Sequence, residues 1–104
     1  MSDRELLELA AKAAGIRGMW DPYGSQFRRY FEGQSTFFGD AWNPLEDDGD
    51  ALRLAIHVGI FDGPRSFAKF YPWLEDALVV IDDHAEAFKR AVTCYAAENG
   101  RAMP

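Results

Sequence analysis

The stretch Trp42 to Ile56, "WNPLEDDGDALRLAI", decides the predicted fold because it joins an acidic turn to a long apolar run. Carboxylates just before such a run are typical of a helix N-terminus, where they cap backbone N–H groups and complement the helix dipole. The spacing predicts a helix over Asp47–Val58. Its polar side chains form one narrow stripe: Glu46, Asp50, Arg53 and His57. A helix with so thin a polar side is covered on most sides, so we expect it to be the central helix of the fold.

Four acids and one glycine crowd the turn before this helix: Glu46, Asp47, Asp48, Gly49 and Asp50. A calcium-binding loop with Gly49 as its sixth residue would place Pro44 first and Ala55 twelfth, where the motif requires an aspartate and a bidentate glutamate. The loop motif therefore fails at both anchors, and we favour a helix cap over the alternative of a divalent-cation site. A helix N-terminus needs one cap and one or two further acids, so the surplus acid leaves a docking surface open as a second role. We take the four acids as candidate protein-binding residues.

The N-terminal segment predicts a helix from Asp3 to Ala14. Ser2 and Glu5 have the spacing of a capping box, in which the serine oxygen accepts the backbone N–H of Glu5. Apolar residues follow at helical spacing, and Gly15 suits a left-handed C-cap. This helix is short and rich in alanine, so packing against the rest of the chain must stabilise it.

Between these two helices the chain is rich in aromatic, glycine and turn residues, which favours strands. We expect three short strands: 18–20, 26–31 and 35–38. The turns between them are "DPYG" and "EGQ". A turn of helix at "SQFRRYF" is an alternative, since Phe27, Tyr30 and Phe31 also fit an i, i+3, i+4 pattern.

The C-terminal third predicts two more strands and a third helix. Ser66–Tyr71 is expected to be a strand that Pro72 ends, and Ala77–Ile81, "ALVVI", has the clearest strand pattern in the chain. The third helix begins after the cap Asp83 and ends at Gly100. The predicted fold class is α+β, with three helices packed on a small antiparallel sheet of about four to five short strands, in the order α-β-β-β-α-β-β-α.

Composition restricts the class of function. A chain of 104 residues suits one domain, residues 1–104, and 48% hydrophobic residues are enough to bury a core. Eight phenylalanines, four tyrosines and three tryptophans exceed what this core can hold, so some aromatic surface is expected. The net charge of −6 repels phosphate backbones and argues against a conventional nucleic-acid binder. It favours a basic protein partner.

The sequence also indicates a compartment. A single cysteine, Cys94, excludes an internal disulfide and suits a reducing cytoplasm. No run of 18 apolar residues is present, and "MSDRELLELAAKAAG" lacks the basic and apolar regions of a signal peptide. We expect a cytoplasmic protein without membrane contact.

The one basic cluster is "FRRYF", Phe27 to Phe31. Arginines among aromatics stack on bases and hold phosphates, so a nucleic-acid-associated regulator is the alternative hypothesis. The order α-β-β-β-α imitates a double-stranded-RNA module, but "EDDGD" would stand where such a module meets phosphates and would repel them. We prefer a core or protein-interface role, because tyrosine and arginine are enriched in interface hot spots. The candidate protein-binding residues here are Phe27, Arg28, Arg29 and Tyr30.

Catalysis has little support in the sequence. Neither His57 nor His84 has a neighbouring nucleophile or a metal ligand at standard spacing. Cys94 lies at the edge of an apolar helix face, where a small buried side chain is its most frequent role. Phosphate-binding loops, nucleophile elbows and zinc-protease motifs are absent from the sequence. We predict that the protein is not an enzyme and has no catalytic residues, metal ligands or cofactors.

Three stretches together resemble a group of small proteins encoded by phages and prophages of Gram-negative bacteria: "ELLELAAKAAGI" (Glu5 to Ile16), "WNPLEDDGDALRLAI" (Trp42 to Ile56) and "AAENGRAM" (Ala96 to Met103). The group has no assigned activity. The segments Arg17 to Asp40 and Phe61 to Trp73 depart from its pattern, so contacts made there would be private to this protein.

The resemblance implies a phage or prophage accessory product that acts in the bacterial host cytoplasm. Together with the acidic charge and the surplus aromatics, it predicts a small non-enzymatic protein that binds a host or phage protein. Inhibition of a host defence or replication complex is the expected role, and a homodimer is an open possibility.

Overall fold

The computed structural model describes residues 2–20, 26–29 and 41–104. These residues form four helices and one two-stranded antiparallel sheet. In chain order the elements are α1 (Asp3–Ala13), β1 (Gly18–Trp20), β2 (Phe27–Arg29), α2 (Asp48–His57), α3 (Pro64–Val80) and α4 (His84–Ala102). The predicted fold class is therefore wrong, because the described residues contain four helices and a two-stranded sheet where the prediction has three helices and four to five strands. The predicted strand 35–38 lies outside the described residues.

Three of the helices begin at the side-chain caps that the sequence predicts. In each, a side-chain oxygen accepts the backbone N–H three residues on: Ser2 from Glu5, Asp47 from Asp50, and Asp83 from Glu86. Each first turn also carries acidic residues, which complement the positive end of the helix dipole. The predictions of α1, α2 and α4 are confirmed, with ends within two residues of the expected ones.

The two strands predicted in the C-terminal third are wrong, because both belong to α3. Phe70 and Ala77 are buried on one side of this helix, and Trp73 and Leu74 are half-buried beside them. This spacing of three and four residues is that of a helix packed on one side. Pro72 lies inside the helix on its exposed side, so the packing of the apolar side outweighs the local cost of a proline.

The central helix is α4, which packs against each of the other three helices. It buries mostly small side chains: Ala87, Ala91, Val92, Thr93, Ala96, Ala97 and Gly100. A Cβ atom at Gly100 would overlap the backbone carbonyl of Leu9, so the glycine lets α1 approach closely. Gly100 was predicted to end the helix, but α4 continues to Ala102.

The prediction that α2 is the central helix is wrong. Asp50, Ala51, Leu54 and Ala55 are buried, whereas Leu52 and Ile56 on the opposite side are 50% and 59% exposed. Apolar residues around most of a helix therefore do not show that it is covered on most sides.

The small sheet joins the first half of the chain to α2. Trp20 pairs with Phe27 across the two strands, and the N–H of Trp42 donates to the carbonyl of Phe27 at 2.8 Å. The ring of Phe27 makes edge-to-face contacts with Trp20 and Trp42, with centroids 5.6 and 5.9 Å apart. The aromatic side chains of three separate segments thus form one cluster at the start of α2.

Candidate functional site

A cleft of about 380 Å³ lies between this aromatic cluster and the N-terminus of α2, and we call it the acidic cleft. Its lining residues are Leu7, Trp20, Gln26, Phe27, Ala41, Trp42, Asn43, Glu46, Asp47 and Asp50. Among these described lining residues, three carry a carboxylate, three are aromatic and none is cationic. A concave surface of this composition suits a cationic group that can contact both carboxylates and aromatic rings.

The aromatic wall of the cleft is held by α1. The indole Nε1 of Trp20 donates a hydrogen bond to Glu8 Oε1 at 2.7 Å. The guanidinium of Arg4 lies over the same indole, 4.7 Å from the ring centroid. Trp20 therefore already accepts a cation on its ring, as aromatic rings with a negative face do.

The acidic wall is a turn that Asn43 and Asp50 lock in place. The backbone N–H of Asn43 donates to Asp50 Oδ2 at 3.0 Å, and the Asn43 side-chain oxygen accepts from the N–H of Leu45 at 3.0 Å. The carbonyl of Asn43 accepts from the N–H of Asp47 at 2.8 Å. These contacts satisfy the backbone groups of the turn and fix where the acids point.

The four candidate acids have separate roles. Asp50 is only 5% exposed, although its position in the predicted polar stripe suggested a solvated side chain. Its Oδ1 accepts from Arg53 at 2.7 Å, and its Oδ2 accepts from Asn43. Because both oxygens are engaged, Asp50 is a structural anchor of the turn.

Asp48 connects α2 to α4. Its carboxylate lies 3.0 Å from the ammonium of Lys89, which also donates to the carbonyl of Glu46 at 3.3 Å. The hydrogen bond to Asp48 raises the pKa of Lys89 above its ordinary value, and the lysine stays charged. Asp48 does not line the acidic cleft.

Glu46 and Asp47 are the two exposed acids that line the cleft. Asp47 Oδ1 caps α2, while its Oδ2 has no hydrogen bond within the described residues. The carboxylate of Glu46 has neither a hydrogen bond nor an ion pair there. These two side chains retain acceptor oxygens for a ligand, so the acidic cluster divides into two structural and two available carboxylates.

A second, smaller cleft of about 240 Å³ lies on the other side of Glu46. It includes Asp3 of α1 together with Glu86 and Arg90 of α4. Arg90 donates to Asp3 at 2.7 Å, and this bond raises the pKa of Arg90. Lys89 and Arg90 thus pair with Asp48 and Asp3, and no cation among the described residues forms an ion pair with Glu46.

The aromatic and basic candidates are divided between two places. Phe27 is 6% exposed and forms part of the acidic cleft, where its buried ring offers no face for a base. Arg28 donates to Gln26 Oε1 at 2.8 Å. Arg29 lines a separate cavity of about 110 Å³ with Arg53 and His57. Tyr30 lies outside the described residues.

The sequence patterns did not identify several of the residues that line the acidic cleft. Trp42 and Asn43 stand directly before the acidic cluster, and their closeness in the chain is a signal that could have found them. Trp20 and Gln26 reach the cleft only because the hairpin pairs Trp20 with Phe27, and this register has no local signal. The motifs "FRRYF" and "EDDGD" are separate in the sequence, whereas Phe27 and three of the acids line the same cleft in the structure.

Groups suited to catalysis are few in the described residues. No cluster of three or more histidine, cysteine or acidic side chains there could hold a metal ion. Cys94 is half-buried, and its burial raises the pKa of the thiol more than the nearby Arg90 lowers it. A raised pKa keeps the thiol protonated and makes it a poor nucleophile.

Within the described residues, no helix has the length and apolar character needed to cross a membrane.

Comparisons with known proteins add no function to this geometry. No family model, curated protein or solved structure matches the chain. The resemblance to small phage and prophage proteins therefore stays a prediction.

Proposed function

We propose that this chain is a non-enzymatic interaction protein that binds a basic segment of another protein in the acidic cleft. The observation that carries the proposal is the pair of available carboxylates, Glu46 and Asp47, beside the aromatic wall of a cleft whose described lining residues include no cation. A lysine or arginine side chain could place its charge against these two acids while its apolar stem lies in the cleft.

The overall charge supports the same kind of partner. At −6, the chain attracts basic surfaces over distances up to the Debye length, about 8 Å at physiological salt, and steers their approach. Charge of this kind increases the association rate and the specificity more than the affinity. Binding should therefore weaken as the ionic strength rises.

The proposed setting is that of a phage or prophage accessory protein in the bacterial host cytoplasm. The partner would be a host or phage protein with an exposed basic segment. Surfaces that bind nucleic acid in replication and defence complexes are basic, and an acidic protein bound there would exclude the phosphate backbone. Inhibition of such a complex is the biological role that we propose.

The experiment is a titration of the full chain with a lysine- and arginine-rich peptide, followed by isothermal calorimetry at low and physiological salt. The double variant Glu46→Gln plus Asp47→Asn should weaken binding about tenfold, as expected for the loss of two exposed charge pairs. Asparagine is as good a helix cap as aspartate, so α2 keeps its N-terminus.

The matched control is Glu75→Gln plus Asp82→Asn, which removes the same charge from exposed positions outside the cleft. This variant should bind almost as the wild type does. Equal weakening by both double variants would show that only net charge matters and would contradict the cleft as the site. Absence of peptide binding, together with a low-salt lysate capture that returns no stoichiometric partner, would contradict the proposed function.

A further inference from the structure

The exposed side of α3 carries a charge pattern that the helix itself does not explain. We call this side the outer face of α3, and its residues recur at helical spacing: Arg65, Lys69, Pro72, Asp76, Val79 and Val80. Val79 and Val80 are 83% and 78% exposed, the highest values among the large hydrophobic residues that the structure describes. These two adjacent valines form a small apolar patch at the C-terminal end of the outer face.

The helix dipole does not explain the charges on this face. It favours acids in the first turn and cations in the last turn, yet the first turn carries Arg65, and Lys69 and Asp76 lie beyond both terminal turns. The first turn of α3 contains no acid, its last turn contains no base, and its cap residue Gly63 makes no side-chain hydrogen bond. Local helix stability therefore gives no reason for this order of charges.

Two of these charges also lack partners in the part of the chain that the structure describes. Neither the ammonium of Lys69 nor the carboxylate of Asp76 has a hydrogen bond or an ion pair among the described residues. The two side chains are seven residues apart on the same face, about 10.5 Å along the helix axis, and do not pair with each other. Both are exposed and are free to meet charges from outside.

We propose that the outer face of α3 binds the same face of a second copy of this chain, with the two helices antiparallel. A two-fold axis beside Pro72 places Lys69 of one copy opposite Asp76 of the other, because the two residues lie three and four positions on either side of Pro72. The symmetry makes this ion pair twice. A parallel pairing would instead place Lys69 against Lys69 and is disfavoured by repulsion.

The same antiparallel arrangement covers the exposed valines. Val79 and Val80 of one copy come opposite the region of Arg65 in the other, where the arginine stem can cover them while its guanidinium stays in water. Antiparallel helices also place their dipoles in the favourable orientation. In the antiparallel arrangement, Lys69 is opposite Asp76, and the valines are opposite the arginine stem. The face is therefore complementary to itself, as a two-fold symmetric interface requires.

The expected dimer is weak. A helix of 17 residues is about 26 Å long, and a single pair of such helices buries less than the ~800 Å² per partner of a standard interface. The net charge of −6 also makes the copies repel outside this face. We therefore expect a concentration-dependent equilibrium between monomer and dimer, stronger at the isoelectric point than at higher pH.

Sedimentation equilibrium of the full chain from about 10 μM to about 1 mM tests this pairing. The wild type should dimerise over this range, and Lys69→Glu or Asp76→Lys alone should weaken the dimer at least about tenfold. An equimolar mixture of the two variants should dimerise again, because each altered charge then faces an opposite charge in the other variant. Both substitutions are at exposed positions, and circular dichroism melting serves as the check that each variant folds.

Three results would overturn the proposal: a wild type that is monomeric at all these concentrations, single variants that dimerise like the wild type, or a mixture that stays monomeric. Peptide binding in the acidic cleft is measured separately and does not depend on these residues. Failure of the dimer therefore leaves the proposed function unaffected, and failure of peptide binding leaves the dimer unaffected.

Discussion

The two long helices α3 and α4 pack against each other, yet they are stabilised in different ways. α4 has the side-chain cap Asp83, an acid in its first turn, and small residues buried against three other helices. α3 begins at Pro64 after the cap residue Gly63, which has no side-chain cap, contains Pro72, and buries one side only. Proline at the first position is the one local feature that favours the start of α3, so this helix depends mainly on packing, whereas α4 combines local and tertiary stabilisation. Because α3 packs on one side only, the residues of its outer face are not required for packing within the chain and can contact another molecule.

The largest expected effect comes from removing the packing that holds α3. Phe70 is fully buried, and its ring contacts Phe88 and Tyr95 of α4 with centroids 6.0 and 5.7 Å apart. Phe70→Ala should lower the free energy of unfolding by about 3 to 5 kcal/mol, measured by urea denaturation. Tyr71→Ala, at the exposed neighbouring position, should cost less than about 1 kcal/mol. Equal costs at the two positions would show that α3 is not held by its buried side.

A smaller loss is expected where α4 meets α1. Gly100→Ala places a Cβ against the backbone carbonyl of Leu9, which cannot move aside as a side chain can. The strain should exceed the roughly 1 kcal/mol that alanine gains in helix propensity and leave a net destabilisation of about 1 to 3 kcal/mol. Gly49→Ala in α2 is the matched control, because its new Cβ meets the ends of the Asp47 and Arg53 side chains at 3.1 and 3.3 Å, which can shift by a few tenths of an ångström, so this variant should lose less stability than Gly100→Ala. A stabilised Gly100→Ala protein would contradict the close approach of α1 and α4.

The difference in capping between α3 and α4 can be tested by removing the side-chain cap of α4 and by adding one to α3. Asp83→Ala removes the α4 cap and should cost about 1 kcal/mol, while Asp83→Asn should cost little. Gly63→Asp gives α3 the side-chain cap that it lacks, and should stabilise the protein by roughly a few tenths of a kcal/mol, because glycine is itself a tolerated cap and Gly63 has extended backbone and open space around its Cβ position. Thermal melting of the three variants measures these effects. A destabilised Gly63→Asp protein would mean that the missing cap is not what separates the two helices.

The smallest effect is a pH dependence carried by α4. Burial raises the pKa of Cys94 in the folded protein, so the folded state favours the neutral thiol. The stability linked to this group is fully present below the unfolded pKa of about 8.5 and is lost as the pH rises through the raised folded value. Cys94→Ala should show less loss of stability between neutral and alkaline pH than the wild type does. Identical pH profiles in denaturant titrations would contradict the burial of this thiol.

The comparison of α3 and α4 also explains which helices could be predicted. Ser2, Asp47 and Asp83 each cap a backbone N–H three residues away, so a short stretch of sequence contains the whole signal. α3 has no such signal, and its β-branched and aromatic residues together with Pro72 favoured strands. Tertiary packing of Phe70 and Ala77 against α4 overrides that local preference.

The candidate site, like the fold, could be predicted from the sequence only in its local features. The acids near Gly49 were expected to cap α2, and Asp47 does so. Their division into engaged and available carboxylates depends on Lys89, Arg53 and Asn43, and Lys89 lies more than forty positions along the chain. The aromatic wall depends on the register of a short hairpin, which neighbouring residues do not determine.

By itself, the sequence determined the three capped helices, the acidic charge and the absence of standard catalytic motifs, because each of these is a property of residues close together in the chain or of composition. Only the tertiary structure decided that 64–80 is one helix, that α4 is central, and that Glu46 and Asp47 remain available in a cleft. These features depend on contacts between residues far apart in the chain, and such contacts outweigh local preference when they bury apolar surface.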